Sequence, residues 1–365
     1  MVQGLIDHVP SLGPDLHFRL LKNPQAAQPL STASNVTETI VRAGANSPAS
    51  MWFLPELTPL SGSDMFHGMA NILPARLPMP SVTTVHDIMW LTNPDWCDAS
   101  AYGQVKRRFY GHGVRRALAK SDQIAVVSEA TREAILAHDS SCADRLTVTR
   151  SGVSQRFKPT DHARQVRSRL GLPETAQFAL IVGQCAPYKN HEGAIAAFAR
   201  AFAGQREKVL VIVQRQGVQR QGAQRRGAQG HALEELARKL GVADQIRFTG
   251  PVDEGLLLQL YSAAKFLLHP SFCEGFGNPI AEAMACGCPV ITSNRSAMPE
   301  VAGGAAMLVD PTCESSIAGA MTDLWHDDSL AGTMQCAGIK RASELRWADF
   351  ARANIAIYRR VLADN

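Results

Sequence analysis

From Asp64 onward the apolar positions come in short runs, separated by longer amphipathic or polar stretches. DMFHG, SVTTVHDIMW and DQIAVVSEA are the first three. Runs of this kind suit strands covered on both faces, so their alternation with helical stretches predicts a parallel α/β sheet. The strand Val82 to Val85 ends at His86 and Asp87, and Ile124 to Val127 ends at Ser128 and Glu129. Both ends fall on the carboxyl edge, where open α/β sheets place ligands. His86 is read either as ligand-facing or as a satisfied structural histidine. Ser128 and Glu129 either touch ligand or cap the helix Ala130 to Leu136. Thr147 to Gly152 reads as the last strand of this series, and the polar stretch Thr160 to Arg169 as a linker.

The second half repeats the pattern, with runs at Phe178 to Val182, Lys208 to Val213, Ile246 to Thr249, Lys265 to His269, Pro289 to Ile291 and Ala305 to Val309. Between them, Ile195, Phe198, Ala199 and Phe202 mark one buried helix face, and further helices are expected over His231 to Leu240, Glu254 to Ala264, Ser315 to His326 and Ala331 to Leu345. In a last helix, Trp347, Phe350, Ala351, Ile355 and Tyr358 share one side, as expected of a helix crossing back to brace the first domain. The expected division is residues 1–165, 166–340 and a bracing helix over 341–365. The first sixty residues fit least. Met1 to Val9 reads as the end of an amphipathic helix and Leu16 to Leu21 as the first strand; the strand and tight turn that normally open such a domain are missing from the pattern. Met1 is read as either a late start or a true truncation.

The chain is organised around HPSFCEGFGNPIAEAMACGCPVITSNRSAMPE, residues 269–300, in which seven residues separate Glu274 from Glu282. Gly275 and Gly277 permit a tight loop, Asn278 is expected to cap a helix with Pro279 at its first position, and Gly287 ends it after Cys286. Glu274 then lies in the loop after a strand and Glu282 one turn into the following helix, so both can face one cleft. Lys189, beside the capping Asn190, stands at a helix amino terminus where unpaired N–H groups and the dipole favour an anion, and a phosphate there would gain its charge.

Composition narrows this picture. A chain of 365 residues, 45% hydrophobic, has room for two cores. A net charge of +4 does not argue for nucleic acid. The eight cysteines show no paired CxxC spacing, so reduced thiols in a cytosolic protein are expected. No apolar run approaches about 18 residues and no leader pattern begins at Met1, so neither secretion nor membrane spanning is expected. Two basic segments remain. Lys106, Arg107, Arg108, Arg115, Arg116 and Lys120 fall on a helical stretch with Phe109, Val114 and Leu118, which reads as a solvated face or as a surface for anionic lipid headgroups; Gly111 and Gly113 weaken that helix. The pentads QRQGV, QRQGA and QRRGA carry four arginines and no acid. They read as a loop expansion from which Arg215 or Arg220 can reach the cleft.

A lysine at a helix terminus with two carboxylates suits a nucleotide-diphosphate ligand, since carboxylates accept paired hydrogen bonds from vicinal diols. Two acids can also form a hydrolytic pair. The phosphate features favour the nucleotide sugar.

In VGQCAPYKN, FTGPVDEGLLLQLYSAAKFLLHPSFCEGFGNPIAEAMACGCPVITSN and MPEVAGGAAMLVDP, over residues 178–311, the sequence resembles the retaining glycosyltransferases of the GT-B fold, in the group-one class that includes mannosyltransferases of bacterial polysaccharide assembly. TVHDIMWLTNP, AVVSEA and SGVSQRF extend the likeness more thinly. The resemblance implies an α/β protein of two Rossmann-like domains facing across a cleft. It implies that Glu274 contacts hydroxyls of the transferred sugar, Glu282 holds the ribose, Lys189 neutralises the diphosphate and His86 orients the sugar. Gly183, Gly275, Phe276, Gly277, Asn278, Pro279 and Arg215 would complete the donor site. It further implies no metal and no cofactor, a nucleotide sugar as donor with GDP-mannose favoured, and a glycan or lipid-linked sugar as acceptor; peripheral contact with the cytoplasmic face of a membrane is the expectation that goes with the lipid-facing reading of the basic helix. Two departures stand out. Tyr188 replaces the arginine that commonly precedes the lysine, so Arg215 or Arg220 is expected to supply the second cation, and the opening strand with its glycine-containing loop is missing. A catalytically degenerate binding module and a sugar-nucleotide epimerase are the competing classes.

Overall fold

The computed structural model describes residues 1–98, 101–215 and 228–364, apart from the side chains of residues 101, 214, 215, 228 and 229. It forms two compact units, Met1–Gly152 with Leu345–Asn365, and Val153–Glu344. The division therefore falls at 152/153 and 344/345, not at 165 and 340. The stretch expected as a linker holds the helix Ala163–Arg169, whose Val166 is fully buried, and the Thr160 N–H donates to Ser262 Oγ at 3.2 Å. Its polar residues are the wet side of that helix.

In the first unit, β1 (Phe18–Lys22) and β2 (Val36–Ile40) pair in a parallel ribbon of their own. Strands β3 (Phe66–Gly68), β4 (Ser81–Val85), β5 (Gln123–Val126) and β6 (Leu146–Val148) form a parallel sheet in chain order. Successive side chains face opposite sides of a strand. Val85, Ile124 and Val126 accordingly pack on one side with Val114, Leu118 and Ile135, while Val82 and Ala125 pack on the other with Leu5, Val9, Phe350 and Tyr358. Two buried faces explain the unbroken apolar runs. The second face is covered by the opening helix Val2–Leu12 and the closing helix Trp347–Ala363. At Gly4 any Cβ would overlap the Trp347 ring, so the two helices close on a glycine.

The helix Ala101–Lys120 runs unbroken through Gly111 and Gly113. A Cβ at Gly113 would lie 2.7 Å from Met51 and 2.8 Å from Ile72, so close packing there replaces what propensity withholds. Among the described residues no helix is long and apolar enough to cross a membrane.

The second unit carries β7 (Gln177–Val182), β8 (Lys208–Arg215), β9 (Ile246–Val252), β10 (Phe266–His269), β11 (Val290–Ser293) and β12 (Met307–Val309), all parallel, in the order β12-β11-β10-β7-β8-β9. The chain starts in the middle at β7, builds outward to β9, then returns to lay β10 on the other side of β7. The chain order therefore reverses between β7 and β10, the kind of switch point at which open α/β sheets take their ligands.

Candidate active site

After β7, residues Gly183 to Ala186 lead into a single turn, Pro187–Lys189. Asn190 then adopts a left-handed backbone, φ 55°, and caps the helix His191–Phe202 by accepting from the Gly193 N–H at 3.3 Å. Its Nδ2 donates to the carbonyls of Pro270, at 3.2 Å, and Pro311, at 2.7 Å, tying the turn to the loops after β10 and β12. A Cβ at Gly183 would sit 3.4 Å from the Lys189 stem. The Tyr188 ring lies beside the ammonium, with Nζ 5.2 Å from its centroid.

Lys189 points at Glu274. Nζ is 2.6 Å from Oε1, and both side chains are 11% exposed. His269, the last residue of β10, places Nε2 at 3.0 Å from the same oxygen, and Ser271 Oγ donates to it at 2.8 Å. A carboxylate only accepts, so His269 must donate from Nε2. Oε1 therefore carries three donors, while Oε2 has no partner among the described residues. The main chain is held as well: Ser296 Oγ donates to the Glu274 carbonyl at 2.7 Å and accepts its N–H at 3.3 Å, from a left-handed backbone with φ 53°.

Burial by itself would raise the pKa of the Glu274 carboxyl. The Lys189 ammonium and the His269 donor overturn that and hold it well below the usual carboxylate range. Burial is also the main reason the His269 pKa is lowered, leaving a neutral ring. Glu274 is thus a fixed anion and not a proton donor, which removes it as the acid of a hydrolytic pair.

Glu282 lies on the helix Asn278–Ala285, buried, and accepts from the Tyr261 hydroxyl at 3.1 Å. Gly277, not Asn278, is the residue ahead of that helix. The turn needs φ of +102°, which glycine takes without strain, and Asn278 is already the first helical residue, ahead of Pro279. Phe276 is buried. The Arg215 side chain and all of Arg220 lie outside the described residues, as does most of the pentad tract.

His86 stands in the first unit, at the end of β4. Its N–H donates to Asn71 Oδ1 at 2.6 Å, its carbonyl accepts from Thr131 Oγ1 at 3.0 Å, and Nε2 lies 2.9 Å from the Met69 carbonyl. A carbonyl only accepts, so Nε2 carries the proton. Burial lowers the pKa, the ring is neutral, and Nδ1 has no partner among the described residues. Ser128 caps the helix Glu129–His138, accepting from the Thr131 N–H at 3.1 Å.

The structure thus brings Lys189 and Glu274, weighed separately in the sequence, into direct contact. His269, Ser271, Ser296, Tyr261 and Asn71 were not anticipated. Two of them lay in plain sight, since His269 and Ser271 stand in the same HPSFCEGF segment as Glu274.

Residues 163–341 match the family described as glycosyl transferases group 1. The chain is 29% identical over 297 residues to the O-antigen chain mannosyltransferase B of Escherichia coli, covering 81% of this chain and 74% of that one. It is 29% identical over 234 residues to the D-inositol 3-phosphate glycosyltransferase of Streptomyces scabiei, covering 63% of this chain and 52% of that one, so it spans about half of this relative's length. In fold it resembles the sucrose-phosphate synthase of Thermosynechococcus elongatus, with a TM-score of 0.75 at 23% identity over 100% of this chain and 93% of that one. The fold is GT-B, with two Rossmann-like units, and it is residues 163–341, within the second unit, that match the group 1 glycosyl transferases.

Proposed function

We propose that the protein moves a hexose, with mannose favoured, from a nucleotide-diphosphate sugar to a glycan or lipid-linked acceptor, retaining the anomeric configuration and using no metal. The observation that carries this reading is the Lys189–Glu274 pair at the β7/β10 switch point, a buried anion with an ammonium 2.6 Å away. In this reading Lys189 takes up charge on the diphosphate as the bond from the anomeric carbon to phosphate oxygen breaks, which is stabilisation that grows toward the transition state. Glu274 Oε2 accepts a hydroxyl of the sugar. Glu282 takes the ribose diol, and main-chain groups from Gly275 to Pro279 line the sugar and phosphates. The acceptor oxygen bonds to the anomeric carbon on the face the phosphate leaves, and its proton passes to the departing phosphate oxygen. On the first unit, His86 Nδ1 is the acceptor we assign to a substrate hydroxyl.

The identity with the Escherichia coli O-antigen chain mannosyltransferase supports a mannosyl donor, and GDP-mannose is the one we favour, with polysaccharide assembly as the setting. Arg107, Arg108, Arg115 and Lys120, all exposed on the helix Ala101–Lys120, support contact with acidic headgroups at the cytoplasmic face of a membrane. Incubation with GDP-, UDP- and dTDP-sugars and a lipid-linked acceptor tests the reading. Nucleotide release that needs acceptor and is lost in Glu274→Gln is expected. Binding without turnover across the acceptor panel would make the protein a degenerate binding module, and interconversion of the sugar without acceptor would make it an epimerase.

A further inference from the structure

The three donors on Glu274 Oε1 are not equivalent. Lys189 is a charged end on a flexible stem, and an incoming diphosphate competes for it. His269 is 2% exposed at the end of β10, with its ring fixed by the sheet, and Ser271 follows two residues later. When Nζ turns to a diphosphate, a buried carboxylate loses its counter-charge, and an unpartnered buried charge is costly. The donors that remain on Oε1 are His269, at 3.0 Å, and Ser271, at 2.8 Å.

We propose that His269 is a positioning residue of the transfer reaction: its Nε2–H holds Glu274 Oε1 while the donor's diphosphate draws Lys189 away, so that Oε2 stays turned to the sugar. The inference rests on the reading of Glu274 as the sugar-binding carboxylate. A neutral ring suits this task, because it orients the anion without cancelling its charge. Its place also fits, since Asn190 and Ser296 already fix the two loops that flank Glu274.

The test compares wild type, His269→Ala, His269→Gln and Glu274→Gln. Each is measured for GDP affinity, for GDP-mannose affinity, for kcat and KM, and for the pH–rate profile. The titratable groups facing Glu274 are Lys189 and His191 from the segment after β7 and His269 from β10. His269→Ala is expected to weaken sugar-nucleotide binding and turnover by about 10- to 100-fold, the worth of a hydrogen bond to a charged group, while GDP affinity stays within about twofold. Its acid limb moves to higher pH, because Glu274 loses a donor that favours the anion. His269→Gln, which keeps an N–H near the same place, recovers most of the loss. If Glu274→Gln abolishes transfer while His269→Ala leaves sugar-nucleotide affinity and the profile unchanged, or lowers GDP and GDP-mannose affinity alike, the role of His269 is overturned and that of Glu274 stands. If Glu274→Gln transfers as wild type, the underlying reading falls, and this one with it. Should His269→Ala fail to fold, His269→Asn, whose amide stops short of Oε1, carries the same comparison.

Discussion

The carboxyl edges of the two sheets solve one problem in opposite ways. In the second unit a full charge is buried and made tolerable by three donors on one oxygen, while the other has no partner among the described residues. In the first unit the group at the strand end is neutral, and backbone and side-chain contacts hold His86 at its N–H, its carbonyl and one ring nitrogen. The difference teaches where each edge is fragile. A charged site depends on its partners for stability as well as activity, whereas a neutral one can lose its ring and keep its scaffold.

Lys189 is the sharpest place to break that contrast. Lys189→Met should lower kcat about 10³-fold, the scale for losing a donor to developing charge, and should also cost about 3 kcal/mol in urea unfolding by stranding a buried carboxylate. Adding Glu274→Gln should restore stability but not turnover; recovery of both would mean the pair is only structural. His86→Ala should cost about tenfold in kcat/KM with little change in unfolding free energy, since the Asn71 and Thr131 bonds to its main chain survive.

Two buried histidines extend the comparison to stability. His67, bonded to Tyr358 Oη at 2.7 Å and Thr84 Oγ1 at 2.8 Å, and His191, whose Nε2 has no partner among the described residues, both have their pKa lowered by burial to about 3. Against an ordinary value of 6.5, the unfolded chain binds the extra proton between these limits, so stability is whole above 6.5 and falls on acidification, at up to about 1.4 kcal/mol per pH unit for each histidine. Unfolding measured just above 6.5 and one unit below should show this slope. Substituting leucine separates the two. His67→Leu strands Tyr358 and Thr84 and should cost about 2 kcal/mol, while His191→Leu should be neutral or stabilising by up to about 1 kcal/mol; each removes its share of the slope.

Much of this was written in local pattern. The strand runs, the turn before Asn190 and the Glu274–Glu282 spacing need only neighbours in sequence to be read. The ribbon strand Val36–Ile40 escaped because VTETI is short and half polar, the mark of a strand with little to bury. Gly111 and Gly113 looked like breakers because propensity is blind to Met51 and Ile72 pressing on the helix. The contact of Lys189 with Glu274 could not be read at all, since it exists only once β10 is laid beside β7, more than eighty residues away in the chain.

The closing helix has a consequence for how the molecule is made. Val153–Glu344 is one uninterrupted length of chain, whereas the first unit needs Phe350 and Tyr358 against Leu5 and Val9 to cover one face of its sheet. On the ribosome the second unit can be complete while the first still exposes that face. The helix Val2–Leu12 waits for the helix Trp347–Ala363, and a nascent chain halted at Glu344 would hold a finished second unit together with an open sheet.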